Sequence, residues 1–252
     1  MLYGMYVSAA GALANSYRQD VIANNLANVE TVAFKRDLAL FQARRTEAQA
    51  SGQRTYTTAM LEGVGGGIFA LPTYTDFSPA SLKETGSDYD LALTDKGFFQ
   101  VQKGSEIFYT RDGRFTRDKN NQLVTMSEKL PVLDDAGRPI VVDPNLDGFD
   151  VDESGFISQE GNAIGRLGIV DFEDTTVLRK QGQNLYFAGQ GLQGHSVGAN
   201  VKQGALEQSS VDEIKQLTEM IKTQRLFQTN VNALQVQDQT LGLAVSRLGN
   251  IT

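Results

Sequence analysis

From Val211 to Leu248 the chain carries no proline, and apolar residues recur at helical spacing throughout. A continuous helix over that stretch would run about 57 Å at 1.5 Å per residue. Gly242 is its one weak point. Met220, Phe227, Leu234, Leu241 and Leu248 fall seven apart, and so do Leu217, Gln224, Val231, Asp238 and Val245. Two columns at that spacing predict a seam against another helix. Gln224 and Asp238 weaken an apolar seam but can fix its register. A helix so long needs a partner of comparable length, and a β domain alone has little use for it.

Residues 1–28 also follow helical spacing. Leu2, Tyr6, Ala9, Leu13, Tyr17 and Val21 recur at steps of three and four, which sets them on one stripe. Arg18 and Asp20 are the only charges before Glu30, so the segment is predicted to be covered rather than solvated. It runs out in "ANNLANVETVAFKR" (23–36), where Asn24, Asn25 and Asn28 interrupt the pattern. Asparagine forms helices poorly because its amide competes for backbone groups. The expectation is that Asn28 or a neighbour closes the helix in a left-handed conformation. Asn24 and Asn25 would then hydrogen-bond to adjoining backbones, while Ala23 and Ala27 permit close helix approach.

Between the helical ends the pattern changes twice. Phe34 to Ala43 reads as a short helix, followed by a polar stretch and the connector "EGVGGGIFALPTYTDFSP". From about 81 to 200 come short runs rich in aromatic and β-branched residues, among them "GFFQVQ", "EIFYTR" and "RLGIVDF". Turn pairs such as Asp112-Gly113 and Ser154-Gly155 separate them at close intervals, which predicts an antiparallel β domain.

Composition removes several functions. A net charge of −7, without a dense basic run, argues against nucleic-acid binding. With no cysteine there is no disulfide framework and no thiolate site. No run of about 18 apolar residues could span a membrane. "ALAN" at 12–15 resembles a signal-peptidase site, but no basic residue precedes Arg18 and Gly4, Ser8 and Gly11 break the apolar centre.

No stretch carries an enzyme's arrangement. His195, the single histidine, lies in the glycine-flanked "GLQGHSVG" and reads as a solvated loop residue. Asp143, Asn145, Asp147 and Gly148 fit the start of a calcium loop, but Ser154 stands where the bidentate glutamate belongs. A pair of acidic β-turns is the simpler reading. "EGVGGGIF" lacks the Gly-Lys-Ser/Thr ending of a phosphate loop. No cofactor or metal is expected.

The motifs together resemble the bacterial flagellar rod and hook family. The resemblance rests on "ANNLANVETVAFKR", on "DLALTDKGFFQV" and "YTRDGRFTRD", and on "GALEQSSVDEIKQLTEMIKTQRLFQTNVNALQVQDQ", in that order. Ala33 departs from it where the family usually has glycine, and Ser209-Ser210 replaces the common Ser-Asn. Chain length and the lack of a large insertion make the chain more similar to a rod protein than to a hook protein.

The fold class expected is therefore α+β: an antiparallel β-rich central domain with long N- and C-terminal helices that pair into a coiled-coil-like assembly domain. The divisions are 1–35 and 205–252 as helical assembly segments, 36–80 as connector and 81–204 as the β domain. The resemblance implies a structural subunit of the periplasm-spanning basal-body rod. Its partners would be itself, other rod and hook subunits and the flagellar type III export apparatus, with export needing no cleaved signal. The interface residues expected are Leu2, Tyr6, Leu13, Asn24, Asn25, Leu26 and Asn28 near the N-terminus. Near the C-terminus they are Leu217, Met220, Phe227, Val231, Leu234, Leu241, Val245 and Leu248. The alternative is a secreted β-rich module binding carbohydrate or peptidoglycan, dimerised by its helices, with Tyr89, Phe98, Phe99, Phe108 and Tyr109 as an aromatic platform.

Overall fold

The structure, a computed structural model, describes residues 2–45, 65–146, 148–189, 194–198 and 200–249. The chain divides into two compact units. Met1–Ala27, Asp37–Tyr74 and Asp212–Thr252 form a helical unit, and Asn28–Arg36 with Thr75–Val211 form a β unit.

The β unit is organised on a six-stranded antiparallel sheet. Its strands run, edge to edge, Leu178–Lys180, Leu185–Ala188, Glu106–Thr110, Phe98–Lys103, Ile169–Asp171 and His195–Ser196. Successive side chains point to opposite faces, and here both faces are covered. Phe99, Val101, Ile169 and Leu185 pack into the larger core with Leu91, Leu123, Val132 and Ile157. Their sequence neighbours Phe98, Val170 and Tyr186 pack into a second core with Phe77, Tyr109, Phe172 and Leu178. Double burial is why "GFFQV" and "GIVDF" read as nearly continuous apolar runs. Phe98 meets Phe77 edge-on at 5.3 Å, and Tyr109 meets Phe172 at 4.9 Å. The expected aromatic platform is therefore core: Phe98, Phe99, Phe108 and Tyr109 are buried, and Tyr89 stacks on Phe149.

Aspartates make the turns. Asp118, Asp134, Asp143, Asp152 and Asp174 each accept a hydrogen bond from the amide two residues on, the Asx-turn geometry that favours this residue. In the calcium-like stretch, Asp143 and Asp152 thus spend oxygens on their own turns. Asp147 lies outside the described residues.

The helical unit contains α1 (Leu2–Ala27), α2 (Glu213–Gly249) and a small pair of strands, Phe41–Ala43 against Ile68–Ala70. No short helix forms over Phe34 to Ala43; Asp37–Leu38 and Phe41–Ala43 are strands. Pairing with Ile68–Ala70 and the edge-on contact of Phe41 with Tyr17, at 6.1 Å, override the local preference.

The two helices pack together, but not as the coiled coil expected. One column, Met220, Phe227, Leu234 and Leu241, is half-buried. The other predicted column is out of phase: Leu217, Gln224, Asp238 and Val245 are exposed, and only Val231 is half-buried. The second covered column lies one position earlier, at Gln216, Thr223, Asn230, Gln237 and Ala244. These polar and small residues meet glycines on α1 rather than apolar knobs, so no twin apolar seam exists for a coiled coil to form around.

Candidate functional site

Two sites emerge, one in each unit. In the helical unit it is the helix pair. A methyl group built on Gly4 would lie 3.0 Å from Gln237 Nε2, and one on Gly11 would lie 3.1 Å from Asn230 Nδ2. As position rises in α1 it falls in α2, so the helices run antiparallel. Asp212 opens α2 by accepting a hydrogen bond from the Lys215 amide at 3.1 Å. The predicted α1 stripe does not face α2. Tyr6 accepts a hydrogen bond from Arg44 at 3.1 Å and Tyr17 donates one to the Leu71 carbonyl at 3.2 Å. Leu13, 72% exposed, touches little.

The helix pair is mixed in polarity: Ala12, Val21 and Ile22 are buried and the Met220, Phe227, Leu234 and Leu241 column is half-buried, yet many apolar side chains are left out. Amides and glycines occupy much of its inside, while Tyr3, Val7 and Leu13 on α1 face outward. On α2 so do Ile214, 77% exposed, and Leu217, Ile221, Leu226, Leu243 and Val245. Leu26 is half-buried, and the side chains of Leu2 and Leu248 lie outside the described ones.

Asn25 bonds to an adjoining backbone, as its amide allows. Asn25 is 2% exposed. Its side chain accepts a hydrogen bond from the Asp37 amide at 2.9 Å and donates one to the Asp37 carbonyl at 2.8 Å. It thereby pins the chain where the segment after α1 returns. Asn24 is exposed. Asn28 does not adopt the left-handed conformation; Ala33 does, with φ of 56°. That is the position where the rod and hook family usually has glycine, so this chain holds an alanine in a backbone region costly for it. Complete burial and a 2.8 Å hydrogen bond from its amide to the Glu207 carbonyl keep it there.

The β unit holds the second site, a buried ion cluster that sequence reading did not find. Lys35, Arg111 and Glu207 are 0%, 2% and 1% exposed. Lys35 Nζ donates to Glu207 Oε1 at 2.7 Å and to the Ser78 carbonyl at 2.8 Å. The same Oε1 accepts from the Ala80 amide at 2.7 Å. Arg111 Nε lies 3.0 Å from Glu207 Oε2, an ion pair whose angle falls outside hydrogen bonding. The guanidinium also donates to the Asp95 carbonyl and lies 5.9 Å from the centre of the Phe98 ring.

One carboxylate thus serves two cations. Burial pulls the Lys35 ammonium below its ordinary value; the Glu207 charge opposes that and the Arg111 charge adds to it. Burial likewise lowers Arg111, against the Glu207 charge. The three residues come from "AFKR", "YTRDG" and "GALE", stretches remote in sequence that carry the family resemblance. Each cluster member adjoins a buried residue, which was the available clue. Among the described residues no group of three His, Cys, Asp or Glu could hold a metal ion. His195, in an edge strand, is exposed. Within the described residues, no helix is long and apolar enough to cross a membrane.

Comparison with known proteins decides the family. The "Flagella basal body rod protein" model matches residues 5–35, the "Flagellar hook protein FlgE/F/G D1 domain" model matches 92–159, and the "Flagellar basal body rod FlgEFG protein C-terminal" model matches 202–247. The chain is 36% identical to the flagellar basal-body rod protein FlgF of Caulobacter vibrioides, over 98% of each chain. It belongs to the flagellar basal-body rod protein family. It is also 33% identical to FlgG of Buchnera aphidicola from Schizaphis graminum, over 96% of this chain and 98% of that one. FlgG of Bacillus subtilis is 32% identical, with 96% and 97% covered. In this rod-family chain the first and last family matches contain Lys35 and Glu207 respectively, so the buried ion pair ties the two together.

Proposed function

We propose that this rod-family chain is a structural subunit of the flagellar basal body and builds a hollow helical shaft that transmits torque, without catalysis. The observation that carries the reading is the apolar surface that the helix pair leaves exposed. Leu13, Ile214, Ile221 and Val245 remain in water although the two helices are already paired. Large apolar side chains left exposed on both helices fit an interface to be covered. Its natural cover is a different patch on copies of the chain and on related rod and hook subunits. A head-to-tail contact between unlike patches whose rotation does not close a ring propagates as an open helix. The terminal segments, residues 1–35 and 205–252, are the assembly segments in this reading. The subunit reaches its place through the flagellar type III export apparatus.

The test is Leu13→Glu and Ile221→Glu, each placing a charge on the outward face without touching the seam. Purified variants should keep the wild-type circular dichroism, yet be missing from isolated basal bodies and leave cells non-motile. Normal incorporation and swimming for both would refute the reading.

A further inference from the structure

Within α1, Gly4 and Gly11 are seven residues apart; within α2, so are Asn230 and Gln237. Each glycine receives one amide: Gln237 Nε2 crowds Gly4, and Asn230 Nδ2 crowds Gly11. By the same spacing, the next step along both helices pairs position 18, an arginine whose guanidinium lies 5.3 Å from the centre of the Phe41 ring, with Thr223, which is 1% exposed. Small meets large at each step, but the sides alternate: glycine on α1 at the first two, threonine on α2 at the third.

We infer that this size matching, rather than apolar contact, selects the register of the helix pair. The apolar column cannot do it alone. Met220, Phe227, Leu234 and Leu241 repeat every seven residues, so a slip of seven leaves them nearly equivalent. The mixed column does discriminate. A slip one way sets Gly4 against Ala244, leaving a void, and crowds Arg18 against Asn230. A slip the other way sets Gly11 against Thr223 and crowds Arg18 against Gln216. Both combine an underfilled position with an overfilled one, and packed interiors tolerate neither. The arrangement costs stability: Gln237 Oε1 is buried with no hydrogen-bond partner. An unsatisfied acceptor retained in a helix seam fits a polar group kept for register.

The inference concerns the pairing of α1 with α2 inside one chain and goes beyond the proposed assembly role. Its test therefore uses dilute monomer, so that its failure is separate from failure to build a shaft. The chain has no cysteine, so engineered pairs report cleanly. Ser8→Cys with Ala233→Cys lies in register; Ser8→Cys with Thr240→Cys and Ser8→Cys with Leu226→Cys report slips of seven. Under mild oxidation the in-register pair should form an internal disulfide, read by mass, at least tenfold faster than either slipped pair. Adding Asn230→Ala and Gln237→Ala, which removes the bulk that fills the space over Gly11 and Gly4, should shrink that preference to within about twofold. Gly11→Asn should also erode it, and Gly11→Asn with Asn230→Gly should restore it. The inference is overturned if slipped pairs form as readily in the unaltered seam, if the alanine seam keeps the full preference, or if no pair forms an internal disulfide.

Discussion

Replacing Glu207 with glutamine keeps the shape of the side chain and removes the only negative charge of the buried cluster. Lys35 and Arg111 are then left facing each other, both almost fully enclosed. The new amide makes matters worse, since one of its ends must present N–H groups to a cation. Breaking a buried ion pair by removing one partner costs about 3–5 kcal/mol, and Glu207→Gln belongs in that range. Lys35→Met is the counterpart. It leaves Arg111 and Glu207 as a one-to-one pair and releases the lysine's burial cost. Its main loss is the hydrogen bond to the Ser78 carbonyl, about 1–2 kcal/mol for an orphaned acceptor. The two variants should therefore differ by about 1–4 kcal/mol, with glutamine the more damaging. Urea unfolding of the full chain, followed by the near-ultraviolet circular dichroism of the aromatic core, measures both.

The same pair has a pH signature. The folded state holds the Lys35 proton less tightly than the ordinary 10.5, chiefly through burial. Between that lowered value and 10.5 the unfolded chain binds the extra proton, so this residue makes stability rise with pH there. Subtracting the stability of Lys35→Met from that of the native protein should give a difference that climbs over that interval and levels off above it. Equal losses for the two variants, or a difference that falls with pH, would refute the view that two cations compete for one carboxylate.

Two further substitutions read single residues. Ala33→Val puts a β-branched side chain at φ 56° in a fully buried site and should cost more than about 2 kcal/mol, whereas Ala33→Gly should change stability by less than about 1 kcal/mol, as relief of strain offsets lost burial and greater chain entropy; urea titration distinguishes them. Asn25→Ala removes both bonds to the Asp37 backbone and should cost about 2–3 kcal/mol, with faster hydrogen exchange at the Asp37 amide, while Asn24→Ala should leave that amide's protection unchanged.

Much of this architecture was legible in the residues. Strand grammar announced the β-rich centre because each turn carries its own chemistry, as Asp118 and Asp152 do. Helical period announced α1 and α2. What period could not supply was phase. In α2, Leu217 and Val245 are more apolar than Asn230 and Gln237, so hydrophobicity pointed to the wrong neighbouring column. Those leucine and valine side chains are left outside the pair, and a rule that equates apolar with inward fails there. The strands after Lys35 were missed for a related reason, since Phe41 takes its conformation from Tyr17 and from residues 68–70. The ion cluster was missed because no local pattern links positions 35, 111 and 207.

That separation has a consequence for the order of events in synthesis. Lys35 and Glu207 stand 172 residues apart, and the strand Ala205–Glu207 is the last of the β unit. A nascent polypeptide already carries both cations long before their counter-ion exists. Sealing them in at that stage would strand two charges in a dry interior, and loops so long close slowly in any case. The final strand therefore acts as a latch: the β unit cannot seal both cations against their counter-ion before Ala205–Glu207 is in place.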